Sequence, residues 1–565
     1  MKKKLPILIT VVLILLVLAA LAFPTIYKKY SYSDERADLK AYFGLNAEEE
    51  VAIVLGDALI EEKAMLRDGI YYLDLDTIHS YFNGRFYLDN SVESKALLIY
   101  TTTEMSYRVY QNSNVITTET EEETTEYPVM LYENGICYVA VDYVKRFTDM
   151  EYEVFKEPNR MQIYKEWPEK TVGSIKKNTQ VRYRGGNKSE ILSDVAKGDV
   201  VTVLEELENW YKVKTKDAYI GYVPKKHMKE IHSFVEDRVT TVEEIYYPAR
   251  DIDYRINMGW HQVFSKAANE NIGSVVSGTN INVISPTWFF LTGNTGDYVC
   301  NASSNYVTTA HQLGMDVWAV IDNFNMECDL YEVLKSTSQR DALIANLVAD
   351  CKKYGIDGIN VDFEQVSPET AHHYIQFIRE LSVVCHDNNL IVSVDNYVPT
   401  AYTSFYNRKE QGRYVDYVVI MGYDEHAGNS DVAGSVASLG FVEQGIIDTL
   451  ESVEEAKVIN GIPFYTRGWS TTDGEVSVKT LTMSSQKQFV QEYGITVEWD
   501  EEWGQYYGEN TVDGTSYEIW MEDAQSIKEK LAVMNRYGIA GVAHWKLGLE
   551  TDDVWTVIGE YIQKD

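Results

Sequence analysis

The sequence predicts a multidomain protein whose last part, residues 240–565, is a (β/α)8 barrel with an insertion before strand eight. Three observations carry this expectation. From about Thr240 onward, apolar runs of strand length alternate with helix-length amphipathic segments, and eight such strands fit. One of them, "DGINVDFE" (Asp357–Glu364), places Asn360, Asp362 and Glu364 at alternate positions, so all three side chains share one face. Before Thr240 the texture differs: short alternating segments are punctuated by Gly, Asn and Asp turns, the pattern of small all-β domains.

The chain has 565 residues, too many for one ordinary domain. Its 51 Lys+Arg against 86 Asp+Glu give a formal net charge of −35. That balance argues against nucleic acid, which is bound through Lys/Arg contacts to phosphate, and against a polybasic membrane-surface role. The 42 tyrosines suit sugar-binding clefts, but extracellular β-rich domains share that enrichment, and the plainer reading is the second.

Taken in order, Lys2, Lys3 and Lys4 precede an almost uninterrupted apolar run from Leu5 to about Phe23. That is roughly the 20 residues needed to span a bilayer, and the basic flank should stay in the cytoplasm with the rest of the chain outside. Residues 1–27 are therefore read as a single-pass signal anchor in the cell membrane. The rival is a cleaved signal peptide, for which "LAALAF" supplies small residues, leaving the protein secreted. Residues 28–39 form a polar tether. Residues 40–167 contain a weak internal repeat, "DGIYYLDLDTI" (Asp68–Ile78) and "NGICYVAVDYV" (Asn134–Val144), each a turn signal followed by alternation and an Asp. "TTETEEETTE" (Thr117–Glu126) is too charged to pack and is expected as a solvated loop. This region loosely resembles the stalk-type domain named after the N-terminal part of copper amine oxidases, which implies a spacer without a metal site. Residues 171–230, from "TQVRYRGG" through Trp210 to "AYIGYVPKKHM", resemble a bacterial SH3-like domain. That resemblance implies binding to cell-wall peptide or glycan, with a rigid spacer as the alternative.

The barrel strands are expected at Arg255–Phe264, Ile281–Leu291, Met315–Phe324, Asp357–Glu364, Leu390–Val398, Val415–Asp424, Lys457–Tyr465 and Gly541–Gly548. The gap between the last two holds the insertion, whose "VEWDEEWGQYYGE" and "EIWMEDAQS" segments are candidates to wall one side of a cleft. In the fourth strand, Ile359, Val361 and Phe363 should face the helices while Asn360, Asp362 and Glu364 face the barrel interior, with Glu364 at the carboxyl rim where barrel enzymes place catalysis. Cys137, Cys300, Cys328, Cys351 and Cys385 are odd in number and form no CxxC, so neither a zinc site nor a disulfide framework is read from them; Cys300 with Cys328 is the one conceivable bridge. His372 and His373 are expected at a helix surface, His426 near the rim within reach of substrate, and His544 beside Trp545. None has metal-ligand spacing with a carboxylate, and no cofactor is expected.

The row Asp357, Asn360, Asp362, Glu364 resembles the DxxDxDxE motif of family-18 glycoside hydrolases, the chitinase-like barrels, with Asn in the second place. "MGYD" supplies Met421, Tyr423 and Asp424; "GIPFYTRGW" supplies Gly461, Pro463, Tyr465, Arg467 and Trp469; "HWKLG" supplies Trp545. The Asn, with "PTWFFL" and "MGYDEH", is similar to the spore-cortex and cell-wall N-acetylglucosaminidase branch. The resemblance implies a β-1,4-linked N-acetylhexosamine polymer as substrate, peptidoglycan or spore cortex rather than chitin, and retaining hydrolysis assisted by the substrate's own 2-acetamido group. In that scheme Glu364 is the acid and then the base, Asp362 orients the acetamido group, Tyr423 donates to its carbonyl, and Trp545 lies under the sugar. Asn360, Met421, Asp424, Arg467 and Trp469 join the substrate-binding set. Plainer readings stand beside these: Tyr423 as a rim tyrosine, Trp545 as core packing, Asp424 as a loop cap, and Arg467 and Trp469 as loop supports. The alternative function is a non-catalytic glycan-binding or wall-tethering surface protein. Asn360 is further expected to hydrogen-bond Asp362 without adding charge, removing the coupled carboxyl pair that an Asp in its place creates.

Overall fold

The computed structural model describes residues 4–92 and 95–563, so Lys2 and Lys3 of the basic flank lie outside the described residues. The chain forms two compact units: Met1–Phe86, Val109–Ile116 and Glu123–Glu243 in one, and Tyr87–Arg108, Thr117–Glu122 and Glu244–Asp565 in the other.

In the first unit, a helix spans Lys4–Tyr30. Its stretch Ile7–Tyr30 is long and apolar enough to cross a membrane. The two repeated segments fold alike. Asp68-Gly69 and Asn134-Gly135 take left-handed φ angles, the backbone of tight hairpin turns. They join Ala58–Arg67 to Ile70–Asp74 and Met130–Glu133 to Ile136–Ala140. Each returning strand runs into a short helix, Leu75–Tyr81 and Val141–Arg146, and the two returning strands pair antiparallel. Asp74 caps the first of these helices, accepting from the Thr77 N–H at 2.8 Å. The following module, Lys170–Phe234, is a seven-stranded antiparallel sheet around Ile175, Val181, Val201, Val213 and Val223. In it Gly221 is dictated by space, because a Cβ there would stand 2.5 Å from the Arg182 carbonyl oxygen.

The second unit is built on eight parallel strands: β1 Ile256–His261, β2 Val283–Leu291, β3 Asp316–Asp322, β4 Gly358–Asp362, β5 Ile391–Tyr397, β6 Tyr417–Met421, β7 Val458–Pro463 and β8 Gly541–Trp545. β1 pairs with both β2 and β8, which closes the barrel. The eight strands fall where the alternation of the sequence predicts them. The layer between barrel and helices takes Ile359, Val361 and Phe363 from β4; the interior is filled by Met258, Trp260, Trp318, Val320, Tyr417 and Val419 among others. Between β7 and β8 lies a five-stranded antiparallel sheet, Tyr465–Met521, with the helix Ser485–Glu492. It is seated by a fully buried ion pair: Lys530 Nζ lies 3.0 Å from both carboxylate oxygens of Glu522, which also accept from Gln505 Nε2 and Ser526 Oγ.

A segment far upstream in sequence belongs to this same unit. Tyr87–Arg108 packs on three barrel helices, α1 Thr337–Tyr354, α2 Ala371–Asp387 and α3 Arg408–Tyr414. The contact is polar and mostly dry. Arg340, fully buried, pairs with Glu380 at 2.7 Å and donates to the Tyr87 hydroxyl at 3.0 Å. Asp89 accepts from the Thr337 N–H at 2.6 Å, Gln376 donates to Thr101 Oγ1, and the Tyr414 hydroxyl donates to the Thr101 carbonyl. Arg108 grips Asp341 with two bonds of 2.7 Å. His373, expected at the surface, is buried here: its Nδ1 lies 2.6 Å from the Tyr87 hydroxyl, and burial pushes its pKa down to about 3. Its neighbour His372 stays exposed.

Removing one partner of a buried ion pair leaves the other charge uncompensated, at a cost of roughly 3–5 kcal/mol, whereas replacing both is close to neutral. Arg340→Met should therefore lower the denaturant midpoint of the barrel unit by about that free energy, and adding Glu380→Leu should restore most of it. A single variant as stable as the parent would mean that Glu380 is not held as a buried anion.

Candidate active site

The row on β4 opens into the barrel mouth as its alternation requires, but the three side chains have different surroundings. Asn360 is fully buried and spends its amide inside the barrel. Its Oδ1 accepts from Trp260 Nε1 of β1 at 3.0 Å and from Ser285 Oγ of β2 at 3.2 Å; its Nδ2 donates to Ser393 Oγ at 3.0 Å and to Asp395 Oδ1 at 2.8 Å, both on β5. The expected bond from Asn360 to Asp362 is replaced by these, because neighbouring side chains on one strand face are farther apart than those on adjacent parallel strands in register. Asn360 pairs across with Ser393. With all four bonds taken and no exposed surface, it supports the site and has nothing left for a sugar.

Asp362 is buried, and its Oδ1 has no hydrogen-bond partner in the protein. Burial raises its pKa well above the usual carboxylate range, and the charges of Asp395, Glu364 and Asp322 add to the rise. Glu364, at the carboxyl end of the strand, is half-buried. Its Oε2 accepts from the Tyr397 hydroxyl at 2.6 Å, while its backbone is clamped by both ends of the Asn323 amide, at 2.8 and 2.9 Å. Burial raises its pKa, the Tyr397 bond opposes that, and Asp424 adds to it. Gln365, next in the chain, takes a left-handed φ of 53° that turns the backbone off the strand.

From the other strand ends come the remaining groups. Tyr423 follows β6, half-buried, with its ring edge-on to Tyr465 at 6.3 Å. Burial raises its pKa first, and Tyr465, Asp362, Asp395 and Glu364 act in the same direction. Met421 ends β6 and is buried. Trp545 ends β8, partly exposed, with its ring edge-on to Trp260 at 5.9 Å. Asp424 accepts from the Tyr465 hydroxyl and pairs with Arg467 Nη2 at 2.9 Å. Arg467 is buried, and its Nε and Nη1 have no partner in the protein. Trp469, expected as a sugar contact or a loop support, is fully buried with its indole N–H on the Gly434 carbonyl at 2.8 Å, so it braces the loop after β6. His426 lies against that loop as well, its Nδ1 3.1 Å from the Ser435 carbonyl. His544 is sealed in the barrel wall, stacked 4.8 Å from Phe464 and 2.6 Å from Asn257 Oδ1.

Two groups went unnoticed in the sequence, Asp395 and Tyr397. Both stand on β5, in "LIVSVDNYV", where Ser393, Asp395 and Tyr397 alternate on one face just as the β4 row does. That polar alternation within an apolar run is the signal that would have found them. The insertion contributes an aromatic cluster, with Trp503 edge-on and Tyr507 tilted against Trp520 at 5.4 and 4.7 Å. It is tied to the segment after β6 by Leu439 N–H on the Trp503 carbonyl and Ser435 Oγ on Gln505. Among the described residues, no three His, Cys, Asp or Glu side chains are grouped to hold a metal ion, and all five cysteines are free thiols.

The closed parallel barrel thus carries at its carboxyl rim a buried acidic row ending in a tyrosine-held glutamate. Residues 292–550 match glycosyl hydrolases family 18, and residues 177–229 match the bacterial SH3 domain; the first match shows a glycoside hydrolase. The chain is 27% identical over 294 residues to the uncharacterized glycosylase YvbX of Bacillus subtilis, covering 50% of this chain and 84% of that one. It is 26% identical over 270 residues to the cortical fragment-lytic enzyme of Bacillus anthracis, covering 46% of this chain and 62% of that one. Among solved structures, the C-terminal domain of a candidate chitinase from Desulfitobacterium hafniense superposes with a TM-score of 0.50 at 21% identity, over 55% of this chain and 99% of that one, which supports the fold.

Carboxyls held neutral in the native state make stability fall with pH. A raised folded pKa contributes stability that is fully present below the unfolded value, near 3.9 for Asp, and is lost as pH rises through the folded value. Asp395 and Asp362 are both raised, burial being the largest cause for each. Asp395→Asn, which keeps an acceptor for Asn360, should therefore raise the Tm at pH 8, by the equivalent of about 1 kcal/mol or more, and leave it nearly unchanged at pH 4. Equal Tm shifts at the two pH values would show that Asp395 carries no such titration.

Proposed function

We propose that this protein is a membrane-anchored, extracytoplasmic glycosidase that cleaves β-1,4-linked N-acetylhexosamine glycans of the cell wall by substrate-assisted acid/base catalysis. The observation that carries this is the pair formed by Glu364 and Asp362. One is a half-buried acid oriented by a single tyrosine hydroxyl; the other is a buried carboxyl with an acceptor oxygen that the protein leaves unpaired. An acetamido N–H is the group that fits such an acceptor. Glu364 would give its proton to the glycosidic oxygen as the acetamido oxygen closes on the anomeric carbon, and would then take a proton from the water that opens the ring. Asp362 as an anion would stabilise the cationic ring between these steps, Tyr423 would hold the acetamido carbonyl, and Trp545 would lie under the sugar face.

Further features support a polymeric substrate. Phe264, Phe324, Met326, Tyr402 and Val432 follow β1, β3, β5 and β6 and are exposed, Tyr402 by 88% and Met326 by 99%, so apolar surface for sugar rings surrounds the mouth. Arg467 keeps two buried N–H groups for a ligand. The SH3 domain match and the name of the Bacillus anthracis relative favour peptidoglycan or cortex over chitin. The helix Lys4–Tyr30 supports the anchor. The rival, a glycan-binding protein without activity, is disfavoured by the intact Glu364.

Glu364→Gln keeps the shape and the Tyr397 contact but has no proton to transfer. It should fold and bind glycan while hydrolysis falls by about 10²–10⁴-fold; near-parental turnover by the folded variant would remove Glu364 from the mechanism. De-N-acetylated glycan should resist cleavage, and a thiazoline analogue of the cyclic intermediate should inhibit. Equal cleavage of acetylated and deacetylated chains at the same bond would exclude assistance by the substrate.

A further inference from the structure

We propose that Asp395 is the positioning carboxyl that shares one proton with Asp362, taking over from strand five the place that Asn360 leaves empty of charge on strand four. The register of the two strands sets this up. Asn360 lies beside Ser393 and Val361 beside Val394, so the next inward positions side by side are Asp362 and Asp395. Both are buried, and each has one carboxyl oxygen without a protein partner, Oδ1 of Asp362 and Oδ2 of Asp395. The other oxygen of Asp395 is fixed by the Asn360 amide at 2.8 Å. Two buried carboxyls at neighbouring inward positions, each with an unpaired oxygen, are satisfied at once by a single proton between them.

The surroundings make that proton necessary. The charges that act on the pair from other residues are those of Asp322 from β3 and Glu364 from the end of β4, and both raise rather than relieve the cost of ionising it; Tyr423, Tyr374 and Tyr406 feel its field in turn. No cation is among the charges acting on either carboxyl. The Arg408 guanidinium is turned to the Tyr397 and Thr403 carbonyls.

The consequence concerns the reaction and rests on the reading that Asp362 orients the acetamido group. In the resting site, Asp362 carries the proton part of the time. When the acetamido N–H bonds to Asp362 and positive charge develops on the ring, the O–H bond at Asp362 breaks and one forms at the Asp395 oxygen. Asp362 becomes the anion and Asp395 the acid, with no change in total charge. When the ring opens the proton returns. Asp395 touches no substrate; it acts by holding the proton that Asp362 must release. A charge that a single strand would carry in two carboxyls is here divided between two strands, with Asn360 as the bridge.

The test is infrared spectroscopy of the full-length protein with ¹³C-labelled aspartate at pH 7.5, above the value of about 6 to which burial raises Asp322. The parent should show a protonated carboxyl band that shifts with the label. Asp395→Asn and Asp362→Asn should each shift its frequency, because the proton loses the second carboxyl oxygen that shares it while burial still holds it on the remaining acid. A band at the parent's frequency in either variant would overturn the sharing, since the proton would then belong to one acid alone. In parallel, Asp395→Asn should lower kcat about tenfold or more on a soluble N-acetylglucosamine oligomer with KM little changed, and one ionisation should vanish from its pH profile of kcat/KM. A profile superimposable on the parent's would also overturn the proposal. Glu364→Gln separates this from the wider reading: it should lose hydrolysis and keep the band, whereas turnover retained in Glu364→Gln would sink the functional reading and leave the proton pair standing.

Discussion

Everything at the mouth of this barrel depends on one buried amide. A closed barrel admits no water to its polar interior, so an inward-facing polar side chain must find its partners on neighbouring strands or cost several kcal/mol. Asn360 meets that constraint completely, accepting from β1 and β2 and donating twice to β5. It thereby ties β4 to β5 beside it and to β1 and β2 across the barrel interior, while one buried oxygen each of Asp362 and Asp395 is left without a protein partner. An aspartate at the same position would place an acceptor where two donors are needed, facing Asp395 with a second charge.

The parts of the site that follow from one strand's own periodicity were legible in the sequence. The eight strands, the inward row and the position of the insertion all derive from period-2 and period-3.6 patterning, and the structure places each where that patterning does. What escaped depends on which strands are neighbours and in what register. Asp395 and Tyr397 belong to the site because β5 lies beside β4 with Ser393 against Asn360, a fact no single segment contains. The partner of Asn360 was misassigned for the same reason: along a strand the next inward side chain is two residues away, while across parallel strands it is one hydrogen-bond spacing away. Trp469 was ambiguous because a tryptophan in an insertion hairpin reads the same whether it faces sugar or braces a loop; its bond to Gly434 decides it.

Around this centre, rigidity is distributed unevenly. Asp424 is held by Tyr465 and Arg467, and the loop after β6 is pinned by Trp469 and Gln505. The insertion that supplies Gln505 is itself locked by the Lys530–Glu522 pair. By contrast Phe264, Met326 and Tyr402 lie open on the rim. The loop after β6 and the insertion before β8 are thus held in place by buried bonds, while the loops after β1, β3 and β5 present exposed apolar side chains.

The arm Tyr87–Arg108 has a consequence for biogenesis. Tyr87 is 253 residues ahead of Arg340 and 286 ahead of His373 in the chain. At ribosomal rates of about 5–20 residues per second, the arm emerges on the order of ten seconds or more before the helices that receive it. During that interval its strands and Asp89 have none of their final partners among α1 and α2, while Arg340 and Glu380 do not yet exist. Contacts of such sequence separation form late and slowly. The barrel therefore does not mature as a C-terminal piece appended to finished N-terminal modules: the nascent chain carries the arm, its strands already paired with one another, with Tyr87, Asp89 and Thr101 uncovered until α1, α2 and α3 emerge.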